Sequence, residues 1–246
     1  MAVIQVRDLS IGYDGTAIQE HLDFDVESGE VFMILGESGC GKSTLLRHLI
    51  GLERPMTGSV EVAGVGDPFR TTGGRPRFGV MFQSGALFGS MTLAQNLSLP
   101  LRRWTDLDQR TIDIIVRWKL RLVGLDGFEN HLPSEISGGM KKRAGIARAL
   151  ALETDLLFLD EPSAGLDPVS AVELDELILT LSHSLGVTTV IVTHELESIF
   201  KIGTRCVMLD KDARGIIAQG DPRALRDDPP DPKVGAFFRR QPAGTI

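Results

Sequence analysis

Residues 36–44 read Gly-Glu-Ser-Gly-Cys-Gly-Lys-Ser-Thr, with the spacing G-x-x-x-x-G-K-[ST]. Glycines let a backbone wrap closely around phosphate oxygens, and successive N–H groups at a helix start form an anion cradle. Lys42 then reaches the outer phosphates of a nucleotide, and Ser43 offers its hydroxyl to Mg²⁺. The context fits: the apolar run Val31-Phe32-Met33-Ile34-Leu35 precedes the loop, and Leu45, Leu46, Leu49 and Ile50 follow at helical spacing. Gly36, Glu37, Ser38, Gly39, Cys40, Gly41, Lys42, Ser43 and Thr44 are therefore the candidate nucleotide-binding residues.

A second apolar run, Leu156-Leu157-Phe158-Leu159, ends in Asp160-Glu161. Open α/β sheets bind ligands at the C-terminal edge of their strands, which is where these carboxylates stand. Asp160 is the candidate for the magnesium shell, and Glu161 for orienting and deprotonating an attacking water. Farther back, Ser137 is a good N-cap, and Gly138-Gly139 leave helix-start N–H groups uncovered for an anion. Lys141, Lys142 and Arg143 add positive potential there, or simply form a solvated helix face.

The elements that must hold these residues are legible as patterns. Leu22, Phe24 and Val26 alternate with acids, as in an antiparallel strand with one wet face, and Ser28-Gly29-Glu30 turns the chain into the buried run before the phosphate loop. Short strands are expected at residues 59–62 and 78–82, with Gln83 ending the latter. Residues 93–152 are largely helical, with Asp106 or Asp108 as a cap and Gly124 as a stop. Buried strands return at residues 156–159, 189–192 and 207–209, and the alternation implies a parallel sheet with helices on its faces.

Composition narrows the setting. The 246 residues allow one large or two modest domains with ample core. A formal net charge of −7 argues against a nucleic-acid partner. The two cysteines, Cys40 and Cys206, lack metal-ligand spacing, and a disulfide at Cys40 would disrupt the loop, so a reducing compartment is expected. No signal-peptide pattern opens the chain, and no apolar run approaches the roughly 18 residues of a membrane span. A cytoplasmic location is expected, with any membrane association made through a partner.

In this order, the phosphate loop, Gln83, Ser137-Gly138-Gly139-Met140, Asp160-Glu161-Pro162 and His194 resemble the ATP-binding subunit of an ABC transporter, over nearly the whole chain. The resemblance implies an α/β P-loop NTPase (RecA-like) core with an N-terminal antiparallel β subdomain, built from residues 1–83 and 153–220. It also implies an inserted α-helical subdomain at 84–152 and a C-terminal tail at 221–246. Gln83 is implied as catalytic and as a link between Mg²⁺ or lytic water and the insertion. His194 is implied to contact the γ-phosphate, and Asp167 to lie in a loop across a dimer interface. Tyr13 stands where the family places an aromatic against adenine, although a half-buried strand tyrosine is an equal reading. Ser137, Gly138 and Gly139 are implied to cover the γ-phosphate held by the opposite subunit, giving a head-to-tail homodimer around two ATP molecules. Met140 departs from the usual glutamine and lacks its amide donors.

Phe82-Gln83-Ser84-Gly85-Ala86-Leu87-Phe88, Ser90-Met91-Thr92-Leu93, residues 134–140 and Asp231-Pro232-Lys233-Val234 resemble the Mce/Mla-type subfamily, ATPases of bacterial lipid transport. That implies integral membrane permease subunits, a membrane-anchored Mce-domain lipid-binding protein, and a place on the cytoplasmic face of the inner membrane. Leu87, Phe88 and Met91 either seat the permease or pack inside. Phe237 and Phe238 are expected to dock on a partner subunit. An importer of small polar solutes and a soluble ABC ATPase remain open as alternatives.

Overall fold

The computed structural model describes residues 1–70 and 74–240. The chain runs through β1 (Ala2–Tyr13), β2 (Thr16–Glu27), β3 (Val31–Gly36), α1 (Lys42–Leu49) and β4 (Thr57–Val62). Then come β5 (Gly79–Met81), α2 (Leu93–Trp104), α3 (Gln109–Leu122), α4 (Gly138–Ala149), β6 (Leu156–Asp160) and α5 (Pro168–Leu185). After β7 (Thr188–Val192) follow α6 (Leu196–Ile202), β8 (Arg205–Asp210), β9 (Gly215–Gly220), α7 (Pro222–Asp227) and α8 (Pro232–Phe238). The chain forms two compact units, Met1–Thr72 with Val190–Ile246, and Gly73–Thr189.

In the first unit a three-stranded antiparallel sheet has the order β2-β1-β4. Period-2 patterning explains it: Leu22, Phe24 and Val26 are buried beside their cross-strand partners Leu9, Val6 and Ile4, while His21 and Asp23 face solvent. The hairpin between β1 and β2 turns on Asp14-Gly15, whose φ values of 51° and 76° suit a two-residue turn. Tyr13 is thereby fixed at the hairpin tip, paired with Thr16. Every residue of β3 is buried, as its unbroken apolar run demands, and β3 pairs in parallel with β8. Phe24 and Phe32 stack at 5.5 Å within this core.

The second unit is built from β5 and β6, paired in parallel, with helices α2 to α5. Phe158 is fully buried and meets Phe78 edge-on at 5.3 Å. Full burial of such a side chain contributes about 1.5–3 kcal/mol. The helix starts follow capping chemistry. Thr92 and Gln95 form a capping box on α2, and Asp108, of the two acids expected there, accepts from Thr111 N at 2.7 Å to open α3.

Two expectations change. The strand before Gln83 ends at Met81, so Gln83 lies in the following turn. The tail is helical through α7 and α8, and Phe238, expected at a partner surface, is buried against Phe200 of its own chain at 5.4 Å. Lys233 explains the docking. Its Nζ meets both carboxylate oxygens of Asp210 at 2.9 Å and Asp212 Oδ2 at 2.7 Å, carboxylates that hold its pKa above the usual lysine range. Tail residues 241–246 lie outside the described residues. Among the described residues no helix is long and apolar enough to cross a membrane.

Gly36 closes β3 at φ 142°, where a Cβ would stand 2.5 Å from Leu209 O and 2.6 Å from Cys40 Sγ. Gly36→Ala is expected to destabilise the protein by about 1–3 kcal/mol, measured as the shift in urea-denaturation midpoint against the parent chain.

Candidate functional site

The candidate residues divide between the units. Tyr13, residues 36–44 and His194 belong to the first; Gln83, Ser137, Gly138, Gly139, Asp160, Glu161 and Asp167 belong to the second.

In the first unit the phosphate loop leaves β3 and enters α1 at Gly41, whose φ of 102° a side chain would oppose. Lys42 is 8% exposed. Its Nζ donates to Gly36 O at 2.8 Å and Glu37 O at 2.9 Å, which curls the ammonium back over the loop. Cys40 packs beneath, and burial pushes its thiol pKa up, so it acts as filling rather than as a thiolate. The fully buried Gln19 pins the loop from below. Its Nε2 donates to Cys40 O at 2.7 Å and to Asp210 O at 3.0 Å.

Tyr13 stands beside this loop and is 43% exposed. Its hydroxyl lies 3.2 Å from Thr44 Oγ1, donates to Glu53 Oε1 at 3.2 Å and accepts from Arg47 Nη1 at 3.3 Å. An anchored hydroxyl and an open ring face suit a stacking platform for a base. His194 follows β7 by two residues, with its side chain 56% exposed and Nε2 3.7 Å from Glu195 Oε1. Thr193 N donates to Ile34 O at 3.5 Å, tying the approach to His194 to the strand that precedes the loop.

In the second unit β6 delivers Asp160 as its last residue. Glu161 follows with φ 47°, a left-handed backbone that a non-glycine residue keeps only when its surroundings fix it. Ser137 Oγ accepts from Met140 N at 3.2 Å and so caps α4. The second of the two glycines after it is favoured by contact: a Cβ on Gly139 would stand only 3.1 Å from Ser170, whereas one on Gly138 would make ordinary contact with Leu166 at 3.6 Å. This places the start of α4 against the start of α5, where Asp167 accepts from Val169 N at 3.1 Å, Ser170 N at 3.0 Å and Ser170 Oγ at 2.6 Å. The Ser170 hydroxyl first, and then the backbone donors, hold the Asp167 carboxyl below the usual range.

The sequence reading missed Lys142. It is not part of a solvated face: it is 7% exposed, and its Nζ donates to the Gln83 carbonyl and, at 3.0 Å, to Glu161 O. Burial lowers its pKa from the usual lysine value, while the Glu161 and Asp160 carboxylates pull it back. The available signal was the helical spacing of Lys142, Gly145 and Arg148, which share one face.

The residues fit the group they are expected to hold. The glycine loop leaves bare backbone beside a buried ammonium, which suits phosphate. Ser43, Asp160 and Gln83 all offer oxygen, the donor class Mg²⁺ takes.

Comparison with known proteins agrees. The ABC transporter family pattern matches residues 19–164. A Mycobacterium leprae protein named probable ribonucleotide transport ATP-binding protein mkl is 40% identical across 99% of this chain and 70% of its own. The intermembrane phospholipid transport system ATP-binding protein MlaF of Escherichia coli is 38% identical across 96% of this chain and 88% of its own. Among solved structures, a dimeric ATP-binding cassette in a post-hydrolysis state with ADP and Pi bound has a TM-score of 0.77 at 26% identity, covering 89% of this chain and 98% of that one. The chain belongs to the ABC transporter family, as an ATP-binding cassette with ATPase activity.

Proposed function

We propose that this chain is the ATP-hydrolysing subunit of a bacterial ABC transporter that moves phospholipid across the cell envelope, working as a head-to-tail homodimer. The observation that carries the lipid reading is the similarity to MlaF over nearly the full length of both chains. The dimeric ADP-bound cassette supports the assembly.

In this reading each nucleotide lies between the phosphate loop of one copy and Ser137, Gly138 and Gly139 of the other. Loop N–H groups and Lys42 offset the triphosphate charge, while Tyr13 stacks on the base. Ser43, Asp160 and Gln83 would hold Mg²⁺, which would supply positive charge against the triphosphate when bound. Glu161 takes the proton of the attacking water, Gln83 helps to place that water, and His194 hydrogen-bonds the γ-phosphate oxygens that carry the developing charge. Ser137 and the N–H groups it leaves open at the helix start steady the same oxygens from the second copy. Cleavage separates the γ-phosphate from ADP, and once Pi leaves, the group that both copies contact is gone and the dimer opens. Met140 presents a thioether where an amide would donate, which leaves the backbone of α4 to make these contacts.

Residues 84–152 act as the helical insertion that reports these steps to an integral permease, with the chain peripheral on the cytoplasmic face of the inner membrane. A cleft of about 400 Å³ lined by Phe78, Phe88, Leu99 and Trp104 gives an apolar seat for a permease segment. A membrane-anchored Mce-domain protein is the expected further partner. A second reading, transport of a small polar solute, is favoured by the ribonucleotide name of the mycobacterial relative.

Purification of the tagged chain from detergent-solubilised native membranes separates the readings. Recovery with a permease, an Mce-domain protein and retained phospholipid is expected; a permease with a solute-binding protein supports the second reading, and purely soluble partners contradict both. Glu161→Gln is expected to lower kcat about 10²–10⁴-fold while leaving ATP affinity nearly unchanged, as read by coupled ATPase assay and nucleotide titration. Wild-type turnover in that variant removes Glu161 from its role.

A further inference from the structure

Helix α4 lays one face directly on the turn that carries Gln83. Lys142 and Arg148 are its two ends, and Gly145 lies between them. A Cβ on Gly145 would stand 3.1 Å from Met81 Cγ and 3.2 Å from Gly85 O, so the helix meets the turn at backbone distance. Arg148 donates to Ala86 O at 2.6 Å and Gly85 O at 3.4 Å. Lys142 donates to the Gln83 carbonyl and, at 3.0 Å, to Glu161 O. The Glu161 carbonyl accepts also from Ala164 N at 3.2 Å. Two residues of this assembly, Ala86 at φ 48° and Glu161 at φ 47°, hold left-handed backbone, and each has its carbonyl bonded by a cation of α4.

From this geometry we infer that Lys142 is a positioning residue that ties the two nucleotide sites of the dimer together. This rests on the composite site proposed above. The N-terminus of α4 serves the nucleotide of the partner copy, whereas Gln83 and Glu161 serve the chain's own. Lys142, one turn into the same helix, holds both of their backbone carbonyls on one ammonium. When the partner's nucleotide draws on the start of α4, the displacement reaches Glu161 through a bond rather than through loose side chains. Filling the partner's site brings the Glu161 carboxylate into closer line, so a site turns over faster when both are filled than when it is filled alone. Lysine suits this task through its reach and its three donors, which satisfy two carbonyls of separate segments at once.

The test is steady-state ATP turnover of the full chain across a range of ATP concentrations, for wild type, Lys142→Met, Lys142→Arg and Lys142→Gln. Methionine keeps the length and removes every donor. Its kcat is expected to fall about 100-fold, the scale of a 1 Å misplacement, with KM for ATP within about threefold of wild type and the Hill coefficient reduced toward one. Arginine keeps donors and is expected to restore most of kcat and the cooperativity. Wild-type kcat and Hill coefficient in Lys142→Met overturn the inference. So does parallel loss of kcat and ATP affinity in both Lys142→Met and Lys142→Arg, which marks general damage. If Lys142→Met does not fold, Lys142→Gln decides, since its amide donors sit on a stem one atom shorter and fall short of both carbonyls: reduced kcat at unchanged KM supports the role, and wild-type kinetics refute it. Wild-type turnover that Glu161→Gln abolishes is the control. Its failure brings down the proposed function itself, whereas a working wild type beside an unaffected Lys142→Met brings down this inference alone.

Discussion

An acidic chain, of formal net charge −7, has to hold a polyanion. Long-range attraction does not help it, so the burden falls on local and directional groups: backbone N–H donors, a helix start and one buried ammonium. The rest of the first unit serves that requirement. β3 is buried throughout so that its end is fixed, and Gly36 has no room for a side chain between Leu209 and Cys40. Gln19 satisfies the underside of the loop, and Asp210, whose carbonyl Gln19 also uses, is held by Lys233 from the last helix. The tail is thus part of what keeps the loop in place, even though it comes from the far end of the chain.

The second unit meets a different demand, that of holding a carboxylate in a backbone conformation it would not choose. Glu161 and Ala86 both sit at positive φ, and both are stabilised by cations of α4 acting on carbonyl oxygens. Strain of this kind costs on the order of 1–3 kcal/mol and persists only where several bonds oppose its release. Here the opposing bonds come from the helix that Ser137 caps. The candidate acid and the candidate anion-binding helix start are therefore one mechanical object within the unit.

The parts of the fold legible in the sequence were those with local causes. The phosphate loop showed itself because strand, glycine spacing and helix are contiguous, and the caps at Ser137 and Asp108 because a short polar side chain and the N–H it serves are three residues apart. The strand expected at residues 78–82 is two residues shorter, Gly79–Met81, since the apolar character of Phe78 and Phe82 continues past both ends of the ladder. Lys142 escaped because lysine types read as solvated, and its partners at Gln83 and Glu161 are 59 and 19 residues away, so only tertiary contact shows what it does. Phe238 was misplaced for a similar reason. Its partner Phe200 belongs to another helix, and nothing in the terminal composition announces that the tail returns to its own unit. Tyr13 had a signal that went unused, the Asp14-Gly15 turn that fixes the hairpin tip.

The central claim is that each nucleotide site is made by two copies of the chain, and complementation by mixing tests it most directly. Lys42→Ala removes the phosphate-loop cation of one copy, and Ser137→Arg blocks the helix start of the other. In a heterodimer of the two, one composite site is intact and the other carries both defects. The account predicts that each variant alone is inactive and that an equal mixture recovers up to about a quarter of wild-type turnover, since half the dimers then hold one good site of two. A mixture as inactive as its components, or either variant turning over ATP by itself, would contradict it.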